Sequence, residues 1–205
     1  MKKTLLIISL TILTTTAVKS QEKIQFGVKG GINFTNITSN YLYNKEYKTG
    51  FHVGALVEIP FGNKFSLQPE ILYSTQGVDG EVPMLYYDFI YPGGSAPQPV
   101  LGEYKLDYIQ IPVLAKLYLI NNFSLEIGPS FNFLVNDELI YNSSTINDDI
   151  GKSFEFSGIV GLSYKIKYGF FANARYFHGF TDALDSNYTE PKNYGFSIGI
   201  GYLFK

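Results

Sequence analysis

The chain contains no cysteine and no tryptophan, and only two histidines among its 205 residues. Without cysteine there is no disulfide framework, no thiolate metal ligand and no thiol nucleophile. His52 and His178 stand alone, without an H-E-x-x-H or similar spacing, so a metal centre has little to be built from. Past the first twenty residues no apolar run approaches the length of a membrane helix, so any membrane crossing must be made by strands. Charge is sparse at 17%, and no basic stripe marks a nucleic-acid surface. Neither cofactor nor catalytic group is expected from this inventory.

The N-terminus pairs Lys2 and Lys3 with an apolar run from Leu5 to Leu13 and a small-residue exit near Ser20 and Gln21. That is the layout of a cleaved secretory signal, too short to span a bilayer. The reading is a signal peptide over residues 1–20 and one domain over residues 21–205. Loss of Lys2, Lys3 and Lys19 leaves 13 basic against 18 acidic residues, a net charge of −5.

Period-two alternation predicts eight strands: Ile24 to Phe34, Thr49 to Ile59, Lys64 to Ser74, Glu103 to Leu119, Phe123 to Val135, Ser153 to Tyr164, Tyr168 to Phe177 and Asn193 to Phe204. The connections between them run long, short, very long, short, long, short, long. In an up-and-down barrel that order sends every long loop to one end and every tight turn to the other, as outer-membrane barrels do. An even strand number puts both termini at the turn end, which is periplasmic in such proteins. The expected fold is all-β, an eight-stranded antiparallel up-and-down transmembrane β-barrel.

One parity of these strands is aromatic and aliphatic: Phe26, Val28 and Ile32; Phe51 and Val53; Ile127, Phe131 and Phe133; Ile198 and Ile200. The other is glycine, serine, amides and ions. A soluble lipocalin-like barrel would turn the apolar set inward around a ligand. The opposite parity, poor in solvating lysine and rich in small residues, suits a crowded interior, and strand ends carry the Tyr and Phe of interfacial girdles. Apolar-out is therefore preferred. The lumen is then expected to hold a polar network of Lys29, His52, Glu58, Glu70, Lys116, Glu126, Glu155 and Arg175, with cations and carboxylates paired and no open pore.

Several segments carry a family likeness: Gly27-Val-Lys-Gly-Gly-Ile-Asn33, Pro69-Glu-Ile-Leu-Tyr-Ser74 followed by Gly77, Ile109-Gln-Ile-Pro-Val-Leu114, Gly128-Pro129, Arg175-Tyr176 and Gly201-Tyr-Leu-Phe204. In order and spacing the chain resembles the outer-membrane β-barrel domain of Bacteroidetes, the PorT-like group often labelled "porin family", over essentially its whole mature length. The resemblance implies an eight-stranded outer-membrane barrel, mostly of unassigned function, whose founding member is linked to secretion of proteins to the cell surface. The chain departs from the common aromatic ending in that Lys205 follows Phe204.

Other features carry less. Ser74, His52 and Glu155, with Arg175 nearby, could assemble a hydrolytic set, but a hydrogen-bonded interior histidine is the simpler reading. His178 falls on the lipid-facing parity where its strand leaves the membrane, the position of an interfacial aromatic. Asp137, Glu138, Asp148 and Asp149 form an acidic loop rather than a cation site. Asn36 to Thr38 and Asn187 to Thr189 match glycosylation triplets, which mean little in a bacterial envelope. The connection Thr75 to Gly102 holds Tyr86, Tyr87, Phe89 and Tyr91, amphipathic rings suited to docking a protein or glycan partner. The sequence thus points to a non-enzymatic outer-membrane scaffold with outer-membrane lipids around it, served by barrel-assembly machinery during insertion. Its alternatives are a passive solute porin and a lipid-modifying enzyme.

Overall fold

The computed structural model describes residues 23–38, 43–82, 100–141, 144–146, 151–184 and 190–204. Eight long strands form the wall: β1 (Gln25–Thr38), β3 (Lys48–Pro60), β4 (Phe65–Val82), β5 (Val100–Ile120), β6 (Phe123–Tyr141), β8 (Phe154–Lys165), β9 (Phe170–Gly179) and β10 (Lys192–Leu203). Two short strands, β2 (Tyr43–Glu46) and β7 (Ser144–Ile146), add to the wall on β4 and β6 at the loop end. Each long strand pairs antiparallel with the next, and β1 pairs with β10 to close the ring. Closure leaves no long strand with an unpaired edge, which is what strands need in order to cross a bilayer.

The faces are sorted as the alternation requires. Phe26, Ile127, Ile198 and Ile200 are 62%, 64%, 59% and 69% exposed, while Lys29, Glu70, Lys116, Glu126 and Arg175 are buried. A surface of isoleucine and phenylalanine around a core of ions is the reverse of a water-soluble fold. No helix among the described residues is long and apolar enough to cross a membrane.

Several strands run past their predicted ends. β1 continues through Thr35, Asn36 and Ile37 to Thr38, and β4 and β5 stay paired from Thr75↔Asp107 out to Val82↔Val100. The very long connection is therefore a hairpin extension at both of its ends, Thr75 to Val82 and Val100 to Gly102, and β6 likewise reaches Tyr141. The alternation fades there because side chains beyond the lipid no longer need two chemically distinct faces. At the other end Tyr168 belongs to a 3-10 turn, Lys167–Gly169, rather than to a strand, with φ at 66°. The signal segment, Tyr86, Tyr87, Phe89, Tyr91, Asp148, Asp149 and Asn187 lie outside the described residues.

Candidate functional site

The lumen is crossed by one chain of ions with alternating sign. Arg175 on β9 donates from both terminal nitrogens to the two carboxylate oxygens of Glu70 on β4, at 2.8 and 2.7 Å, and its Nε donates to Glu126 Oε2 at 2.7 Å. Lys29 on β1 reaches Glu70 at 3.5 Å. Lys116 on β5 lies 3.4 Å from Glu126 on β6 and 3.6 Å from Glu58 on β3. Lys165, the last residue of β8, closes the series at 2.7 Å from Glu58. The order Lys29, Glu70, Arg175, Glu126, Lys116, Glu58, Lys165 places each carboxylate between two cations. Burying a single ion is prohibitive, and a series in which every member is compensated is the arrangement that makes the burial tolerable.

Neutral donors complete it. Lys116 Nζ donates to Gln68 Oε1 at 2.9 Å, Gln68 Nε2 donates to Glu70, and the Tyr118 hydroxyl donates to Glu58. Seven of the eight long strands supply an ion. β10 supplies none, and its bare inner face provides room instead. A Cβ on Gly201 would lie 2.3 Å from the Phe171 ring, and one on Gly199 would lie 2.9 Å from Asn173 Oδ1.

Nearer the loop end the lumen is polar but not ion-paired. His52 Nδ1 lies 2.8 Å from Asn33 Oδ1, and Asn33 Nδ2 donates to Ser74 Oγ at 3.0 Å. Glu155 accepts from Asn132 Nδ2 at 3.1 Å and from the Tyr108 hydroxyl at 3.4 Å. The eight network residues expected from sequence are all inside the barrel, but two of them, His52 and Glu155, stand apart from the ion chain. Glu155 therefore does not share in the cation pairing expected of it. Nor is the hydrolytic set assembled: Ser74 is engaged by Asn33 and Gln76, His52 by Asn33, and Glu155 by Asn132 and Tyr108. Lys165 is not among the lumen residues expected from sequence, because the alternation places it in a turn after Tyr164. Its parity, shared with Gly161 and Ser163, was the signal that placed it inside.

The two ends differ. At the loop end, Ile37, Val78, Leu106, Tyr108 and Ala183 form a buried apolar cap, with Tyr104, Leu134 and Leu184 against it. Ala183 arrives on the connection after β9, which folds in over the bore: Lys152 N–H donates to Ala183 O at 2.9 Å and Ala183 N–H to Pro191 O at 2.7 Å. Around this cap Lys48 pairs with Glu103, and Lys105 lies 3.3 Å from Asp107 and 3.4 Å from Glu138. Hydrogen bonding from Asn136, with Lys105 adding its charge, holds the Glu138 carboxyl below its ordinary value. At the turn end the bore opens as a cavity of about 340 Å³ bordered by Lys23, Gln25, Glu58, Tyr118, Asn121 and Lys165. Among the described residues no group of three or more His, Asp or Glu could hold a metal ion.

Residues 19–185 match the outer membrane protein beta-barrel domain family. The chain belongs to that family. The match stops short of β10, yet β10 closes this barrel through twelve paired positions with β1, from Gly27↔Leu203 to Thr38↔Lys192. No curated protein sequence matches the chain. Among solved structures it is similar to Neisserial surface protein A, with a TM-score of 0.58 and 12% identity, covering 89% of this chain and 100% of that one. It is also similar to Ail, the attachment invasion locus protein of Yersinia pestis, with a TM-score of 0.52, 13% identity and the same coverage. Ail in complex with the heparin analogue sucrose octasulfate gives a TM-score of 0.51. At these identities the likeness is one of fold.

For an outer-membrane barrel the exposed apolar band is the lipid-facing surface. Where β9 and β10 leave that band, His178 sits among rings: 6.5 Å from Tyr176, 6.2 Å from Phe180 and 6.4 Å from Tyr194. It occupies an aromatic cluster at a strand end, the setting of an interfacial side chain.

Proposed function

We propose that this outer-membrane barrel is a non-conducting, non-enzymatic scaffold whose specific activity resides in its loops, displayed at the cell surface. The observation that carries the reading is the lumen. The ion chain fills the middle of the bore and the apolar cap lies above it, so a solute would have to part Arg175 from Glu70 and displace Ala183. Eight strands leave an interior that side chains fill. The loops contain Tyr86, Tyr87, Phe89 and Tyr91, which suit a protein or glycan partner. A role as an accessory of envelope or secretion machinery, in the manner of the PorT-like group, fits the same architecture.

Charge narrows the partner. Residues 35–49, 75–107, 136–153 and 178–193 contain thirteen of the chain's 18 acidic residues and five lysines. A sulfated polyanion of the kind seen with Ail would be repelled by such a surface. The loop partner is therefore neutral or basic.

Planar-bilayer recording tests the scaffold reading. The purified barrel should give no steady conductance steps, and reproducible steps from the native chain would defeat it. Orientation is accessible because the chain lacks cysteine. A cysteine replacing Glu190 should react with an impermeant maleimide on intact cells, and one replacing Asn63 only after the outer membrane is opened. The reverse pattern would place the loops in the periplasm.

A further inference from the structure

The two rims of the barrel carry opposite charge, and the turn-end rim is the unexplained one. Lys23, Lys64 and Lys167 are exposed there and make no ion pair with any described residue. Glu58, the described acid at that end, is sunk in the mouth and occupied by Lys116, Lys165 and Tyr118. Between the lysines the turns present apolar side chains: Phe61 is 54% exposed, Ile120 66% and Tyr168 78%. Tyr168, which follows Lys167 in the chain, is also held in the left-handed region, an unfavourable conformation for a bulky residue.

We propose that this rim is a docking surface for anionic phospholipid head groups, with Lys23, Lys64 and Lys167 on the phosphate esters and Phe61, Ile120 and Tyr168 at the level of the glycerol backbones. The proposal rests on the membrane-spanning reading of the barrel. Three features favour a lipid surface over a protein. The cations precede β1, lie between β3 and β4, and lie between β8 and β9, so they are spread around the circumference rather than gathered in one patch. The apolar residues among them adjoin exposed apolar residues of the wall, Ile120 following Leu119 and Tyr168 standing between Ile166 and Phe170. Unpaired lysines beside exposed rings match the composition of membrane-interface anchors, and juxtamembrane lysines are attracted to anionic leaflets. The acidic loop rim would be expelled from such a surface, so the same charge separation biases which end enters a leaflet of phospholipid.

Spin-labelled lipids test this on the full mature chain refolded into phosphatidylcholine vesicles. Labelled phosphatidylglycerol should associate with the barrel about threefold or more in preference to labelled phosphatidylcholine, and salt should weaken the preference. K23Q/K64Q/K167Q should abolish it, and K192Q on the loop rim should leave it intact. Equal association of the two lipids with the native barrel overturns the proposal. So does a preference that survives the triple substitution, or capture of an acidic soluble protein by a rim that shows no lipid preference. Heat-modifiable gel migration of the same samples separates the two readings: a folded barrel without lipid preference refutes the rim proposal alone, whereas a chain that never enters vesicles refutes the membrane reading beneath it.

Discussion

Arg175 and Glu70 meet across the full width of the bore. β9 and β4 are four strands apart in either direction around the ring, so their bidentate pair at 2.7 and 2.8 Å spans a diameter. Such a contact braces opposite walls, which hydrogen bonds between neighbouring strands cannot do. The same guanidinium holds Glu126 on β6, tying three of the strands together at one point.

Arg175→Met should therefore be among the most damaging single changes in the lumen. It leaves Lys29, at 3.5 Å, as the one described cation beside Glu70, and Lys116, at 3.4 Å, as the one beside Glu126. Stripping one partner from a buried ion pair costs about 3–5 kcal/mol. Glu70→Gln should cost a similar amount for the complementary reason. The double variant should be less damaged than the sum, with a coupling of about 0.5–3 kcal/mol. Urea unfolding in detergent, followed by gel mobility and circular dichroism, measures all three, and strict additivity would mean that the pair does not act as a unit.

Much of this site could be read from parity. Lys29, Glu70, Glu126 and Arg175 each lie on the strand face opposite Phe and Ile, and a barrel closed with that face inward can only bring them together. What parity cannot give is which cation faces which anion. That depends on stagger between strands distant in sequence, as between Glu70 and Arg175. Glu155 illustrates the limit: it has the right parity, but its height on β8 sets it among Asn132 and Tyr108. The strand extensions were illegible for another reason. Thr75 to Val82 and Val100 to Gly102 pair beyond the lipid, where no two-solvent boundary imposes alternation. The apolar cap escaped too, because Ala183 reaches it on a connection whose path is set by tertiary contacts.

Gly201→Val should destabilise the barrel without touching an ion. A Cβ there would fall 2.3 Å from Cζ of Phe171, whose buried ring packs with Leu56 and Leu203 inside the barrel. Branching adds further atoms to a full site, and overpacking of this kind costs about 1–3 kcal/mol. Paired with Phe171→Ala, which vacates the space, the penalty of Gly201→Val should shrink. Urea midpoints of the single and double variants check this, and an undiminished penalty would place its origin in the strand backbone rather than in the ring.

Ile198→Lys tests which face meets lipid. Ile198 lies near the middle of β10, 59% exposed and paired with Ile32 and Ala174 across the neighbouring strands. A lysine at mid-depth on the lipid face costs about 2–4 kcal/mol. In detergent, where water and head groups come closer, the loss should be smaller than in vesicles. A soluble barrel with an inward apolar face would show the opposite order, since there the lysine would enter a packed core in either medium. Folding yield in the two media, scored by heat-modifiable migration, distinguishes them.

The clasp between β5 and β6 at the loop rim should loosen in acid. Asn136 Nδ2 donates to Glu138 at 3.0 Å, and Lys105 lies 3.4 Å from the same carboxylate. These contacts hold the Glu138 carboxyl below its ordinary 4.5. A carboxyl whose value falls on folding stabilises the folded form above 4.5 and ceases to do so as pH drops through the lowered value. Lys105 shifts upward: partial desolvation opposes its charge, but Asp107 and Glu138 outweigh that. Its contribution is complete below its ordinary 10.5 and is lost only as pH rises through the raised value, so the clasp is whole across the neutral range. Both groups are partly exposed, so solvent screening keeps the effect to about 0.2–1 kcal/mol. Hydrogen exchange should show Glu138→Gln with less protection than the native chain in the amides of Glu103 to Asp107 at neutral pH. Well below pH 4.5 the two should converge, and a gap that persists in acid would trace the protection to the β5–β6 backbone ladder instead of the carboxylate.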